Sequence, residues 1–178
     1  MEFCKLELEG VILVKPKIFS DERGYFMETY HEEKFSKNFA AGEAPVFVQD
    51  NHACSSRNVI RGLHFQVSKP QGKLVRCTIG KILDVAVDIR PDSPTYGHHL
   101  SQILSEHNNY QLWIPAGFAH GYASLGAHNE VLYKCDGLYN PGDEGGIVWN
   151  CPELDIDWGV GTPVVSDKDK ELPRFLKL

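Results

Sequence analysis

Apolar and polar residues alternate in short runs along most of the chain, and glycine and proline separate these runs. Alternation with a period of two is typical of β-strands that bury one face. The pattern predicts strands at residues 10–14, 25–30, 46–49, 59–65, 73–79, 82–89, 100–104, 110–114, 121–125, 130–135 and 146–149. Helices are predicted only at residues 31–40, which include Phe35 and Phe39 on one helix face, and at 167–178. Many short strands joined by turns indicate an all-β jelly-roll, as a sandwich or barrel, with a few short peripheral helices.

The chain has 178 residues and no evident linker or repeat, so we expect a single domain over residues 1–178. Its net charge of −6 argues against binding to nucleic acid or to a membrane surface, since both require a cationic surface. No run approaches the roughly 18 apolar residues of a membrane span. The five cysteines are odd in number and form no C-x-x-C pair, which favours free thiols in a reducing compartment. These features predict a cytoplasmic protein.

Two segments place chemically active side chains inside apolar strand patterns. Residues 61–66 read Arg-Gly-Leu-His-Phe-Gln, and residues 115–121 read Pro-Ala-Gly-Phe-Ala-His-Gly. Between them, Lys73 begins a strand in which Arg76 points to the opposite face. Taken alone, His64 is also compatible with a core histidine bound to a backbone carbonyl. Because inward-pointing cations are costly unless a site uses them, the set favours an enzyme that acts on an anionic, carbonyl-bearing small molecule.

The Pro-x-Gly-x-x-His motif at residues 115–120 resembles the cupin family of barrels, many of which bind a metal. Those metal sites use an H-x-H pair, a nearby glutamate and a later histidine. Here Gln66 occupies the second position after His64, and no glutamate follows before Glu106. Zinc and iron favour three or more protein ligands. We therefore expect no bound metal, and a metal-dependent cupin stays open as an alternative.

Nine segments in series resemble the dTDP-4-dehydrorhamnose 3,5-epimerase family. They are residues 21–28 (Asp-Glu-Arg-Gly-Tyr-Phe-Met-Glu), 47–51, 61–66, 73–76, 84–90, 114–121, 133–134, 138–141 and 166–169. They follow the order and spacing of the family over nearly the whole chain. The sequence departs from the family pattern at Cys151, where aspartate is usual, at residues 98–100, and in the loop at residues 40–44, which is slightly long. None of these departures removes a chemical group that the family uses.

The resemblance implies a cupin-like jelly-roll that forms a homodimer, in which strands of one subunit extend the sheet of the other. It also implies a reaction without cofactor or metal. The expected substrate is dTDP-4-dehydro-6-deoxy-D-glucose, whose inversion at C3 and C5 gives dTDP-4-dehydro-L-rhamnose for cell-surface polysaccharide. An enzyme that inverts only C3 or only C5 of a related nucleotide sugar is an alternative, and a non-catalytic sugar-binding jelly-roll is another.

By resemblance, four residues carry the chemistry. The C4 ketone acidifies the hydrogens at C3 and C5, so each inversion proceeds through an enolate. His64 is expected to be the base, since imidazole with an ordinary pKa near ~6.5 suits neutral pH. Asp169 would orient the ring of His64, and Lys73 would place an ammonium beside the C4 oxygen. Tyr133 would deliver a proton from the opposite face.

Ten further residues match positions that bind the substrate. Arg23 and Arg61 are expected to hold the diphosphate, because guanidinium groups bind phosphate oxygens in a bidentate manner. Tyr139 is a further diphosphate contact by resemblance, and His120 matches a position near the sugar. The positions expected to bind thymine and deoxyribose are Phe26, Glu28, Gln49 and Asn51, and the further ligand contacts are Glu144 and Lys168.

Overall fold

The computed structural model of the protein describes residues 1–40 and 43–177. Thirteen short strands make up most of the regular structure in this part of the chain. They are β1 (Glu2–Lys5), β2 (Ile12–Lys15), β3 (Ile18–Asp21), β4 (Gly24–Met27), β5 (Gln49–Ser56), β6 (Ile60–Gln66), β7 (Lys73–Ile79), β8 (Lys81–Asp88), β9 (His99–Ser105), β10 (Gln111–Ile114), β11 (Phe118–Ser124), β12 (His128–Cys135) and β13 (Glu144–Gly146). Two short helices accompany them, α1 (Glu32–Ser36) and α2 (Asp167–Lys170), with 3₁₀ turns at Pro141–Asp143 and Phe175–Lys177.

The strands form two antiparallel sheets and a separate hairpin. The larger sheet has the order β1-β2-β10-β7-β12-β5, and the smaller sheet has the order β13-β6-β11-β8-β9. Most neighbours in these sheets are distant in the sequence, as in a jelly-roll. The hairpin consists of β3 and β4. The prediction of an all-β jelly-roll with short helices is confirmed.

Apolar clusters fill the space between the sheets and cover both outer faces. The interior cluster joins the sheets, with Leu112 from β10 and Ile82 from β8 among its members. Trp158, in the segment before α2, belongs to the cluster on the outer face of the smaller sheet. On the outer face of the larger sheet, Phe35 of α1 packs edge-on against Trp113 at 5.9 Å between ring centroids. Since β8 is buried on both faces, its sequence is a nearly continuous apolar run instead of an alternating one.

Most predicted strands are present with small shifts at their ends, and the bounds predicted for β7 are correct. The strand predicted at residues 46–49 is wrong, because β5 begins at Gln49 and continues to Ser56. The sequence of β5 is polar at a sheet edge, so alternation does not reveal it. The pattern also does not predict β1 or β3, whose side chains lie largely towards solvent.

Both predicted helices are shorter than expected. The one predicted at residues 31–40 is limited to α1. At the carboxyl end, α2 stops at Lys170, and Pro173 separates it from the last 3₁₀ turn, because proline interrupts a helix. Leu178, the last residue of the predicted helix, lies outside the described residues. No helix within the described ranges is long and apolar enough to span a membrane.

Candidate active site

A cavity of about 650 Å³ opens between the two sheets, bounded by β6 and β11 on one side and by β5, β7 and β12 on the other. Eleven of the fourteen predicted site residues line it. They are Gln49, Asn51, Arg61, His64, Lys73, His120, Tyr133, Tyr139, Glu144, Lys168 and Asp169. Residues that are far apart in the sequence therefore line the same cavity, as the sequence analysis predicts.

Strand β6 and helix α2 bring a histidine and a carboxylate together. Nε2 of His64 lies 2.8 Å from Oδ1 of Asp169. Because a carboxylate only accepts hydrogen bonds, Nε2 carries a proton and Nδ1 is the basic nitrogen of the neutral ring. The backbone N–H of Gly62 donates to Oδ2 of Asp169, and the N–H of Asp169 donates to the hydroxyl of Ser166. Burial raises the pKa of the Asp169 carboxyl, but the hydrogen bond and charge of His64 hold it below its usual value.

A close approach of β6 and β11 places a second histidine beside the first. Gly62 has a φ of +118°, and a Cβ atom there would lie 2.6 Å from Cα of Gly121, so only glycine fits. His120 is the register partner of His64 across these strands. Nε2 of His120 lies 2.8 Å from Oδ1 of Asp84, which is fully buried. The cavity wall thus carries two imidazole–carboxylate pairs.

The larger sheet supplies a lysine and a tyrosine. Lys73 of β7 and Tyr133 of β12 line the cavity from this side. Lys73 lies two residues before Val75, which belongs to the interior cluster, and both therefore share the inward face of β7. Burial lowers the pKa of the Lys73 ammonium and raises the pKa of the Tyr133 hydroxyl. Burial therefore shifts these two pKa values in opposite directions.

Polar side chains from β5 and β6 surround the mouth of the cavity. Nε of Arg61 donates to Oγ of Ser55 at 3.0 Å, and Nη2 donates to the carbonyl oxygen of Cys54 at 3.1 Å. These bonds fix an exposed guanidinium at the rim. Nearby, Nε2 of Gln49 donates to Oδ1 of Asn51 at 3.0 Å. The rim therefore offers one fixed cation and two amides to a ligand.

A second rim group is centred on Glu144. Nζ of Lys168 donates to its Oε2 at 2.5 Å, and the hydroxyl of Tyr139 donates to the same oxygen at 2.8 Å. Burial raises the pKa of the Glu144 carboxyl, but these two hydrogen bonds hold it below its usual value. The three side chains form one charged network at the cavity mouth.

Three predicted site residues lie away from the cavity, on or just after the β3–β4 hairpin. The side chain of Arg23 is 85% exposed and pairs with Asp21. Phe26 is also exposed, and Glu28 forms an ion pair with Lys34. Within one chain these three residues do not lie at the cavity, so their assignment to substrate binding stays a prediction.

The sequence analysis does not identify Asp84 and Tyr122 as residues of the cavity region. Asp84 interrupts the apolar run of β8, and this is a usable signal, because a carboxylate is rarely buried without a function. Tyr122 lines the cavity next to it in register. It gives no comparable signal, because aromatic residues are common in strands.

Gln66 occupies the position that a metal-binding cupin gives to histidine. Its Nε2 donates to the carbonyl oxygens of Lys69 and Leu138, and its Oε1 accepts from the N–H of Asn140. The side chain therefore ties two loops together. Over residues 1–40 and 43–177, no three or more histidine, cysteine, aspartate or glutamate side chains are grouped so that they could hold a metal ion.

Nearly the whole chain is similar to a group of known enzymes. The family model described as dTDP-4-dehydrorhamnose 3,5-epimerase matches residues 5–177. The dTDP-4-dehydrorhamnose 3,5-epimerase of Pseudomonas aeruginosa is 48% identical over 176 residues, which cover 98% of this chain and 96% of that protein.

Solved structures agree with the sequence comparison. The dTDP-4-dehydrorhamnose 3,5-epimerase of Elizabethkingia anophelis superposes with a TM-score of 0.94 and 42% identity, covering 99% of this chain and 97% of that one. A dTDP-6-deoxy-D-glucose-3,5-epimerase of Legionella pneumophila, in complex with dTDP-4-keto-L-rhamnose, has a TM-score of 0.91 and 40% identity, covering 98% of both chains.

Proposed function

The chain belongs to the dTDP-4-dehydrorhamnose 3,5-epimerase family, and we propose that it converts dTDP-4-dehydro-6-deoxy-D-glucose to dTDP-4-dehydro-L-rhamnose. The enzyme is an isomerase. The observation that supports this reaction most directly is the cavity wall, where the His64–Asp169 pair stands on one sheet and Lys73 and Tyr133 stand on the other. This arrangement provides a base, an acid and a cation around one sugar ring. No cofactor is needed for it.

We propose that His64 removes the proton. With Nε2–H donated to Asp169, Nδ1 of the neutral ring accepts a proton from a carbon next to the C4 ketone. The C–H electron pair becomes the enolate, and the ring becomes an imidazolium. The ionised carboxylate of Asp169 stabilises that imidazolium. The hydrogen bond that Asp169 accepts from the N–H of Gly62, and the one that its own N–H donates to Ser166, keep the pair in place.

Lys73 and Tyr133 complete the inversion in this proposal. The ammonium of Lys73 stabilises the negative charge that develops on the C4 oxygen, without reorganisation at the moment of reaction. The hydroxyl of Tyr133 delivers a proton to the opposite face of the same carbon. Its phenolate then regains a proton from solvent, and the imidazolium of His64 releases its proton to solvent. Because burial raises the pKa of Tyr133, its hydroxyl stays protonated and ready to donate over the neutral range.

Arg61 is proposed to bind the diphosphate, so we expect Arg61→Ala to raise KM while kcat changes little. One charge-assisted contact to phosphate corresponds to a KM increase of roughly 10- to 100-fold. Steady-state kinetics with the nucleotide sugar measure this. The matched control is Arg57→Ala, an exposed arginine on the turn before β6. An unchanged KM in Arg61→Ala would remove the phosphate role.

The exposed hairpin supports the proposal that the enzyme is a homodimer. Phe19, Tyr25 and Phe26 project apolar rings into solvent from β3 and β4. The outer edges of the larger sheet, at β1 and β5, have no strand beside them among the described residues, and such edges commonly pair with another chain. We propose that Arg23, Phe26 and Glu28 reach the cavity of a partner subunit. This would place all fourteen predicted site residues at the ligand.

Mixing two impaired variants, assayed at a substrate concentration well below KM, tests this sharing. If Arg23 serves the partner subunit, a hybrid of His64→Ala and Arg23→Ala chains contains one site with both changes and one with neither. Co-expression should then restore about a quarter of the wild-type sites, given random pairing into a twofold dimer. Activity that never exceeds the mean of the two separate variants would show that Arg23 does not act across subunits.

We further propose a cytoplasmic enzyme that supplies an L-sugar nucleotide for cell-surface polysaccharide. Net negative charge and five thiols without a C-x-x-C pair support the location.

Identification of the reaction product tests the proposed epimerase function. The purified protein, incubated with dTDP-4-dehydro-6-deoxy-D-glucose after chelator treatment, should give the L-configured 4-keto sugar by proton NMR. Unchanged substrate would contradict the proposed function.

A further inference from the structure

Asp84 is a buried acidic residue to which the proposed mechanism gives no function. Its residue is fully buried on β8, inside the sandwich. Oδ1 lies 2.8 Å from Nε2 of His120, whereas Oδ2 has no hydrogen-bond partner in the described part of the chain. A buried carboxylate with one unpartnered oxygen is costly, so a compensating function is expected.

This contact bears on the ring of His120. An ionised Asp84 accepts a hydrogen bond from Nε2 of His120, which fixes the orientation and the tautomer of the ring. His120 lines the cavity and lies opposite His64 in the β6–β11 register. Asp84 therefore fixes a ring that faces the same ligand space as the proposed base.

We infer that Asp84 is a positioning residue, which holds the ring of His120 in one orientation and one tautomer against the substrate. This inference rests on the proposed function, because it places the substrate in the cavity that His120 lines. Asp84 acts through His120 and does not itself line the cavity.

Asp84→Asn removes the charge and keeps the shape of the side chain. We expect kcat at neutral pH to fall roughly 10²-fold, as for the loss of one preorganised electrostatic contact, with KM within about twofold. ¹⁵N NMR of labelled histidine in Asp84→Asn should show that His120 is no longer held in one tautomer, because an amide can either accept from Nε2 or donate to it. The matched control is Ser124→Ala, which removes a buried hydroxyl without a partner among the described residues and should leave both kcat and the tautomer of His120 unchanged.

An unchanged kcat in Asp84→Asn would overturn the inference. A second measurement uses the unaltered enzyme and does not depend on turnover or on folding of the variant. In ¹⁵N NMR of labelled histidine at a pH where the ring is neutral, His120 should carry its proton on Nε2, and the Nδ1–H tautomer would contradict the pairing. Product formation by the same sample distinguishes the positioning role of Asp84 from the proposed epimerase function. An Nε2–H tautomer in a sample that forms no product would contradict the proposed function alone.

Discussion

Substitution of His64 by alanine is expected to lower kcat by roughly 10²- to 10⁴-fold, the range of a positioned general base. No other imidazole among the described residues combines a cavity position with the Asp169 contact at 2.8 Å. The affinity for dTDP should stay nearly unchanged, because the nucleotide is proposed to contact Arg61 and the rim amides instead. Stopped assays for kcat and calorimetry with dTDP measure the two effects separately.

His107→Ala is the matched control for this substitution. His107 is exposed in the turn between β9 and β10 and does not line the cavity, so its loss should leave kcat and dTDP affinity unchanged. Thermal unfolding of both variants checks that the fold is retained. A His64→Ala enzyme with near-normal kcat would eliminate His64 as the base.

Lys73→Met is expected to give the second large effect, a fall in kcat of about 10²- to 10³-fold. Methionine keeps most of the length of the side chain and removes the charge that is proposed to face the C4 oxygen. Lys73→Arg, which restores a cation with a different shape, should recover part of the loss. The control is Lys81→Met, an exposed lysine at the start of β8.

The pH profile distinguishes this function of Lys73 from simple packing. The ammonium must be protonated to stabilise the enolate, and burial lowers its pKa, so the alkaline decline of kcat in the wild type should follow Lys73. Lys73→Met has no ammonium to titrate, so the alkaline decline should no longer occur at the wild-type pH. A decline that stays at the wild-type pH would show that Lys73 is not the titrating group.

The sequence predicts much of the sandwich because burial imposes a pattern on its strands. The strand at 73–79 is predicted with correct bounds, since it alternates between the interior and the outer cluster. β5 is not predicted, because an edge strand needs few apolar side chains and is defined by its backbone pairing with β12. That pairing depends on residues far apart in the sequence, which a local pattern does not contain.

For the candidate site too, the sequence predicts some residues and not others. His64, Lys73 and His120 stand out as polar residues in apolar strands, and the structure places all three at one cavity. Their carboxylate partners are less accessible to sequence reasoning. Asp169 is reached only by resemblance, and the contact of Asp84 with His120 joins two strands that are 36 residues apart at these positions.

A single chain does not explain the expected function of Arg23, Phe26 and Glu28. The resemblance assigns them to the ligand, yet the hairpin that carries them points into solvent. Their proposed function depends on a second subunit, and neither the sequence pattern nor one folded chain contains the symmetry that would bring them to a cavity. The hybrid-enzyme experiment addresses this part of the proposal.

The central claim is that one metal-free site inverts two carbons through enolates, and solvent isotope incorporation tests it most directly. The unaltered enzyme, treated with chelator, is incubated in D₂O with dTDP-4-dehydro-6-deoxy-D-glucose and followed by proton NMR and mass spectrometry. We predict deuterium at both C3 and C5 of the L-configured product. Deuterium at only one carbon, or at neither, would contradict the claim.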